Sequence, residues 1–494
     1  MIRHGLGYRR DPILKSLHHI ENRDALLDLS DPSKPQEARW PAAEFIVGNP
    51  PFLGGARLRS SLGNGYVETL RQVFDDRIPH SSDLCCYFHE KARAQIERGG
   101  TRRAGLLATQ GIRGQQNRRV LERIKRSGSI FFARSDEHWV LSGAAVHISF
   151  VGQDDGTERE RELDGRQVTT INSNLTSGID LTQAKRLHEN VGICFKGTDK
   201  AGPFEIPPAL AATLLTSPNP DGRSNADVVR PWVNGLDVGG RPRGMWIIDF
   251  GISMLESEAE LYEAPFEYAR SRVRPVRLAA NSEPRSVAAW WLHQRPRPEL
   301  RAAIVGSQRY IATIRHSKYR HFAWIGSDIV PDSALVIFAR EDDYTFGILH
   351  SRVHELWARG TGTQVREVES GFRYTPTTTF ETFPFPRPTD EQRQRVGEAA
   401  RRLVELRGGW LNPPGLDPAE LQKRTLTNLY NQRPTWLDHA LATLDAAVFD
   451  AYGWPADLPD AEILERLLAL NLERAASENP PNSNEVVSNA PRLD

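Results

Sequence analysis

Apolar positions in the first third of the chain follow two alternating periods. Phe45-Ile46-Val47 is a short β-rich run closed by Gly48 and two prolines, which predicts a buried parallel strand opening into a loop. Ser82 and Asp83 can then cap a helix, and Leu84, Phe88, Ala92 and Ile96 recur every four residues until Gly99-Gly100 stops it. Ala104-Gly-Leu-Leu-Ala-Thr109 predicts the next strand. Val120, Leu121 and Ile124 share one face of a helix ending near Gly128. Ile130-Phe131-Phe132 and Ala145-Val-His-Ile-Ser-Phe-Val151 predict two further strands. This alternation predicts a doubly wound α/β domain over residues 1–154. Such sheets bind ligands at the carboxyl ends of their strands, where Asn49 stands.

After residue 155 the rhythm changes. Short β-like runs (Met245-Trp-Ile-Ile-Asp249, Ser333-Ala-Leu-Val-Ile-Phe338) alternate with basic, aromatic and proline-bearing loops, predicting a second α/β domain over 155–387. Residues 388–474 are rich in Leu, Ala, Glu and Arg and predict helices. The Ser, Asn and Pro content of 475–494 predicts a disordered tail.

Composition sharpens this only in places. The 494 residues carry 63 Lys and Arg against 63 Asp and Glu, so net charge alone gives no reason to expect a polyanionic partner. The distribution does: residues 270–320 hold twelve Lys and Arg against two Glu and no Asp, with Trp290, Trp291, Tyr310 and Tyr319 among them. Arg309, Arg315, Lys318 and Arg320 are the candidates for contacts with phosphates or bases. Paired tryptophans are more often core, and His350, Glu355 and Trp357 read as helix residues without a role. Three cysteines support neither a disulfide framework nor a zinc cluster. With no long apolar run and no signal-peptide pattern in residues 1–10, the expected location is cytoplasmic.

The string that carries chemistry is Asn49-Pro50-Pro51-Phe52 at the end of the first strand. An exocyclic amine is a poor nucleophile because its lone pair is delocalised into the ring. Accepting hydrogen bonds from both amine protons pushes that nitrogen toward sp³ and aims its lone pair. The Asn49 side-chain carbonyl and the Pro50 backbone carbonyl supply two acceptors, held rigidly by prolines whose φ is fixed. Phe52 offers a flat ring for a base rotated out of a duplex. Methyl transfer from a sulfonium needs no metal. The structural alternative for these four residues is a rigid loop.

At these residues the chain resembles the amino-methyltransferases of DNA restriction–modification systems, whose signature is [Asn/Asp/Ser]-Pro-Pro-[Tyr/Phe/Trp]. Asp83-Leu-Cys-Cys-Tyr-Phe-His-Glu-Lys-Ala92 resembles the next motif, in which Phe88 would pack on the adenine of S-adenosyl-L-methionine. The late strand pair resembles the one that places a second aromatic, here Phe150, against the flipped base. Ile20-Glu-Asn-Arg-Asp24 resembles the motif whose Asp accepts from the cofactor's adenine amine, so Asp24 takes that role, with a solvated helix-start Asp as the alternative. Trp232-Val-Asn-Gly-Leu-Asp237, Arg320-His-Phe-Ala-Trp324, Asp342-Asp-Tyr-Thr-Phe-Gly347 and Phe380-Glu-Thr-Phe-Pro-Phe-Pro386 resemble the large single-chain type II enzymes, the MmeI-like group.

The resemblance implies a Rossmann-like class I methyltransferase domain, a C-terminal target-recognition domain, and transfer of a methyl group to N6 of adenine in double-stranded DNA. It also implies a glycine-rich turn ahead of Asp24. Gly5-Leu-Gly7 is a poor substitute, so the early strands are expected to be missing: either the reading frame is truncated, or a further polypeptide, encoded upstream, completes the fold. No PD-(D/E)xK pattern predicts cleavage. Two alternatives differ in class: a DNA-binding specificity fragment that holds no cofactor, and a glutamine methyltransferase acting on protein. The latter are short and carry their extra domain before the catalytic one.

Overall fold

In the computed structural model, residues 20–478 are described apart from 32, 115, 142–143, 280–286 and 365–370. Gly5, Gly7 and residues 479–494 lie outside the described residues, and with them most of the expected tail; residues 475–478 are helical. The chain forms two compact units, residues 1–180 and 181–494.

The first unit begins with a small antiparallel pair, β1 (Leu27–Asp28) and β2 (Gln36–Glu37). Its main sheet holds β3 (Phe45–Gly48), β4 (Arg103–Thr109), β5 (Ser129–Leu141), β6 (Ala144–Asp154), β7 (Arg161–Leu163) and β8 (Arg166–Val168), in the order β3-β4-β6-β5-β7-β8. β3 and β4 run parallel, whereas β6 inserts antiparallel to both β4 and β5. The expected boundary at 155 moves to 180 because the β7–β8 hairpin adds onto β5 in this same sheet.

Helices α1 (Leu58–Leu62) and α2 (Asn64–Val73) follow β3, α3 (Leu84–Glu97) precedes β4, and α4 (Arg118–Ser127) precedes β5. The four-residue period of α3 buries nearly its whole circumference. Leu84, Cys85, Cys86 and Tyr87 join Val120, Leu121 and Ile124 of α4 and Ala108, Ile130 and Val151 of the sheet in one core. Ala92 and Ile96 pack with Ala104 and Leu106, against which Ile46 sits. Charges taken inside with α3 are paired, as burial demands: Glu90, fully buried, accepts from Arg93 at 2.9 Å and from Arg123 at 3.1 Å.

Among the described residues, nothing covers the opposite face of the sheet beside β3. Strand side chains alternate between faces, so Phe45 and Val47 point away from Ile46 and α3; they are 52% and 85% exposed. A Cβ added at Gly105, their neighbour on β4, would meet nothing within 4 Å. β3 is also the sheet edge.

Among its described residues the second unit contains three sheets. β10 (Glu205–Ile206), β12 (Trp246–Ile248), β11 (Val229–Val233) and β16 (Val330–Pro331) form one. β15 (Phe322–Gly326), β13 (Arg309–Ile314), β17 (Leu335–Phe338) and β9 (Cys194–Lys196) form the second, and β14 (His316–Ser317), β19 (Phe372–Arg373) and β18 (Thr363–Gln364) the third. Trp290 is core, packed with Phe266 and Trp291, as expected of paired tryptophans.

The C-terminal helices belong to this unit. Helix Thr435–Tyr452 and helix Asp390–Leu411 press on helix Asp343–His350 so closely that a Cβ on Gly347 would lie 3.1 Å from Leu444 of the first and 2.8 Å from Val396 of the second. From helix Asp390–Leu411, buried Arg407 donates to His350 Nε2 at 2.8 Å and to the Phe322 carbonyl at 2.9 Å. His350 Nε2 also accepts from the Phe322 N–H, so the ring is neutral with its proton on Nδ1. His354 accepts the Tyr374 hydroxyl proton while its other nitrogen binds the Leu349 carbonyl.

Burial, with Arg407 and Arg320 nearby, pushes His321 down to about 3; burial opposed by the Leu349 carbonyl leaves His354 at about 3. Both lie below the unfolded value of about 6.5. Protons therefore bind the unfolded chain first, and stability present above pH 6.5 is lost as pH falls toward 3, by up to about 1.4 kcal/mol per pH unit per histidine. Urea denaturation from pH 7.5 to 4 should show this loss. His321, whose ring nitrogens find no partner among the described residues, makes the sharper case: His321→Phe should preserve neutral-pH stability and flatten the decline. An unchanged slope in that variant would show that His321 is not held neutral.

Candidate functional site

Asn49-Pro50-Pro51-Phe52 leaves the sheet directly after β3. Pro50 is buried, Phe52 half-buried, and Asn49 and Pro51 are exposed. The register fixes what lies alongside. Gly48 pairs with Leu106, and Leu107 pairs with Phe150 across β4–β6. Continued by one residue, the β3–β4 register sets Asn49 level with Leu107 and Phe150, one strand beyond. At a strand spacing of about 4.8 Å, Asn49 and Phe150 are separated by roughly 10 Å of sheet. Phe150 shares the face of Leu107, and Trp139 meets it edge-on at 6.2 Å.

The loop is pinned by Asp83. This residue occupies the N-cap position of α3, yet its carboxylate does not cap the helix. Instead Oδ1 accepts from the Gly55 N–H at 2.9 Å and Oδ2 from the Thr109 hydroxyl at 3.3 Å, while its own N–H donates to Asn117 Oδ1 at 2.9 Å. The Leu84 N–H adds a bond to the Leu53 carbonyl at 2.9 Å. The ends of β3 and β4 and the start of α4 are thereby tied to one helix terminus. The fit is tight: a Cβ on Gly55 would sit 2.1 Å from the Ser81 carbonyl oxygen, whereas one on Gly54 would reach only an ordinary contact at 3.6 Å.

Asp24 and Phe88 meet through Trp40. Asp24 Oδ1 accepts from the N–H groups of Leu26 and Leu27 at 2.7 and 2.8 Å, closing a turn rather than starting a helix. The Trp40 indole donates to the Ala25 carbonyl at 2.7 Å, and its ring lies 6.2 Å from that of Phe88. Burial, and then the hydrogen bond to Asp24, hold the Tyr66 hydroxyl well above its ordinary pKa. Asp24 remains exposed, with carboxylate capacity for a further donor. An exposed carboxylate and an aromatic ring are groups that could hold a purine bearing an exocyclic amine.

The four cations expected at an interface separate. Arg320 is buried and donates to Thr313, to the Ile314 carbonyl and, at 3.0 Å, to the Phe372 carbonyl, so it presents no guanidinium to solvent. Arg309 lies 3.7 Å over the Trp324 ring and pairs with Asp343 at 2.9 Å. Lys318 is exposed, its ammonium 5.1 Å from the Tyr319 ring. Arg315 is half-buried at the junction of β13 and β14. Asp83 is what sequence reasoning missed, because a cap explained it fully. Among the described residues no group of three or more His, Cys, Asp or Glu could hold a metal, and no helix is long and apolar enough to cross a membrane.

Residues 245–387 match the family described as MmeI, target recognition domain. The fold is similar to that of the Type IIL restriction–modification enzyme MmeI, solved in complex with DNA, with a TM-score of 0.68 and 20% identity over 87% of this chain and 57% of that one. DNA methyltransferase A of Bacillus subtilis (strain 168) is 29% identical over 150 residues, which is 30% of this chain and 15% of that protein. The chain thus spans little more than half of the MmeI chain and a small part of the Bacillus protein. It is similar to MmeI-like restriction–modification enzymes.

Asp83→Ala should strand the Gly55 N–H and the Thr109 hydroxyl, at about 1–3 kcal/mol for a buried unsatisfied group. Hydrogen exchange at Gly55 should accelerate. Gly55→Ala should lower the melting temperature and Gly54→Ala should not. Equal effects of the two alanines would show that the Ser81 approach does not constrain the loop.

Proposed function

We propose that the chain is the catalytic and target-recognition part of a DNA methyltransferase that acts on the N6 amine of adenine. The observation that carries this reading is the Asn49-Pro50-Pro51-Phe52 loop leaving the end of β3, pinned by Asp83, with Phe150 paired to Leu107 on the neighbouring strand. The match of residues 245–387 supports duplex DNA as the partner. The first unit is then a Rossmann-like class I methyltransferase domain, and the setting is restriction–modification or phage defence.

Asp24 and Phe88 would hold the adenine end of S-adenosyl-L-methionine, one through its carboxylate and the other through its ring. When bound, that cofactor supplies a methyl group activated on a sulfonium. The Asn49 side-chain carbonyl and the Pro50 carbonyl accept from the two protons of the target amine, which localises the nitrogen lone pair. Phe52 and Phe150 stack on the base once it has left the duplex. The amine sheds a proton to solvent after transfer, so no strong base is needed.

The bare face beside β3 supports a second element of the reading. Exposed strand edges and apolar faces are normally covered, and Phe45 and Val47 are not. A further polypeptide that extends the sheet at β3 and cradles the methionine end of the cofactor would cover both.

Asn49→Ala should reduce methyl transfer about 10²–10³-fold, as for loss of one preorganised acceptor, with an unchanged melting temperature because Asn49 is exposed. A tritiated-methyl assay on duplex DNA checks this; wild-type activity in the variant would remove Asn49 from the site. Phe52→Ala should release the flipped base by roughly 1–3 kcal/mol, read by 2-aminopurine fluorescence, and Phe52→Tyr should be tolerated. Isothermal titration should find weak binding of S-adenosyl-L-methionine to the chain alone and tighter binding once a polypeptide bearing a glycine-rich turn is added. Tight binding without it would refute the need for a partner.

A further inference from the structure

Four cations from distant parts of the sequence meet along one strip of strands in the second unit. Lys196 ends β9, Arg315 follows β13, Arg373 lies in β19, and Arg297 precedes helix Pro298–Ala303. Backbone bonds fix their order. The Tyr374 N–H donates to the Arg315 carbonyl and the Arg315 N–H to the Ala334 carbonyl, both at 2.8 Å. Val336 pairs with Lys196, the Gly197 N–H bonds the Leu335 carbonyl at 3.1 Å, and Arg297 Nε donates to the Gly197 carbonyl at 3.1 Å. With strands about 4.8 Å apart, these groups span roughly 15 Å.

Their surroundings differ from those of four other arginines in the same basic stretch, which are satisfied internally. Arg309 has Asp343, Arg301 has Asp249 at 2.7 Å, Arg277 donates to the carbonyls of Lys200 and Ala201, and Arg320 donates inward. Among the described residues Lys196, Arg315 and Arg373 have no side-chain ion pair, and the Nε atoms of Arg315 and Arg373 are buried without an acceptor. All three are half-buried. Burial, then repulsion from Arg315, Arg373, Arg297 and Arg295, pulls the Lys196 ammonium below its usual pKa. Burial and then Arg373 do the same to Arg315, with Asp199 the opposing acid. Like charges held together in partial burial cost a free chain stability, and a polyanion laid across them removes that cost.

We propose that Lys196, Arg315 and Arg373, flanked by Arg297, form a cradle that grips the phosphate backbone of duplex DNA. It rests on the DNA-binding part of the function proposed above and is independent of the methyl-transfer part. A strip of about 15 Å suits several consecutive phosphates, since each strand places one every 3.4 Å of helix axis. The sequence hid it: only Arg297 and Arg315 fall in the basic run, and the others arrive by strand pairing.

The test is fluorescence anisotropy of the full chain with duplex DNA over a potassium chloride series. The triple variant Lys196→Gln/Arg315→Gln/Arg373→Gln should lose roughly 2–3 from the log–log salt slope, at about 0.9 per phosphate contact. A control neutralising exposed Arg402 and Lys423 and half-buried Arg466 should keep the wild-type slope. The melting temperature of the triple variant should hold or rise, because repulsion is relieved; a purely structural role would lower it. Should it melt lower, Arg315→Lys/Arg373→Lys decides: a retained slope supports the cradle and a lost slope in that folded variant overturns it. A wild-type slope in the triple variant overturns the cradle while leaving DNA binding intact. Failure of the wild-type chain to bind duplex overturns both.

Discussion

The carboxylate of Asp83 sets the geometry on which the first unit depends. It stands at a helix terminus, where backbone N–H groups would ordinarily claim it, but both oxygens reach across to neighbouring segments instead. The Asn-Pro-Pro-Phe loop cannot brace itself, because its two prolines carry no N–H and so contribute no donors. Stiffness along the backbone therefore has to be matched by anchoring from outside. Asp83 provides this, and Gly55 is the residue small enough to let the anchor close against the Ser81 carbonyl.

Periodicity made the first unit's elements legible. The four-residue recurrence from Leu84 to Ile96 and the runs at Phe45 and Ala104 correspond to α3, β3 and β4. Strand direction was not legible, because an apolar run has the same pattern whichever way it is threaded; the antiparallel insertion of β6 follows from pairing partners remote in sequence. The unit boundary was obscured for a related reason, since β7 and β8 are three-residue strands without a hydrophobic period of their own. At the candidate site the loop residues were readable and the Asp24–Trp40–Phe88 grouping was not, because Trp40 joins the other two only through a backbone carbonyl and a ring contact.

Charge was the least readable property. Residues 270–320 look uniformly basic, yet the described side chains there divide among internal structural service, the strip and the exposed surface. Neighbours in three dimensions decide this, and those neighbours come from β9, β17 and β19 as well as from the basic run. The same principle governs α3, whose charged residues would sit on a solvated face in an isolated helix. Here Glu90 is fully enclosed and is tolerable only because Arg93 and Arg123 both reach it.

Residues 245–387 match a family of their own, but the packing around Gly347 denies that segment autonomy. The Asp390–Leu411 and Thr435–Tyr452 helices press on Gly347, and Arg407 completes the hydrogen bonding of His350 and Phe322 inside it. Cut at 387, the segment would expose an apolar helix crossing and leave a buried imidazole with only one of its two donors, the Phe322 N–H. Moving this segment intact would therefore require the described part of the whole compact unit, residues 181–478, as one piece. A shorter graft would have to carry its own replacements for Val396, Arg407 and Leu444.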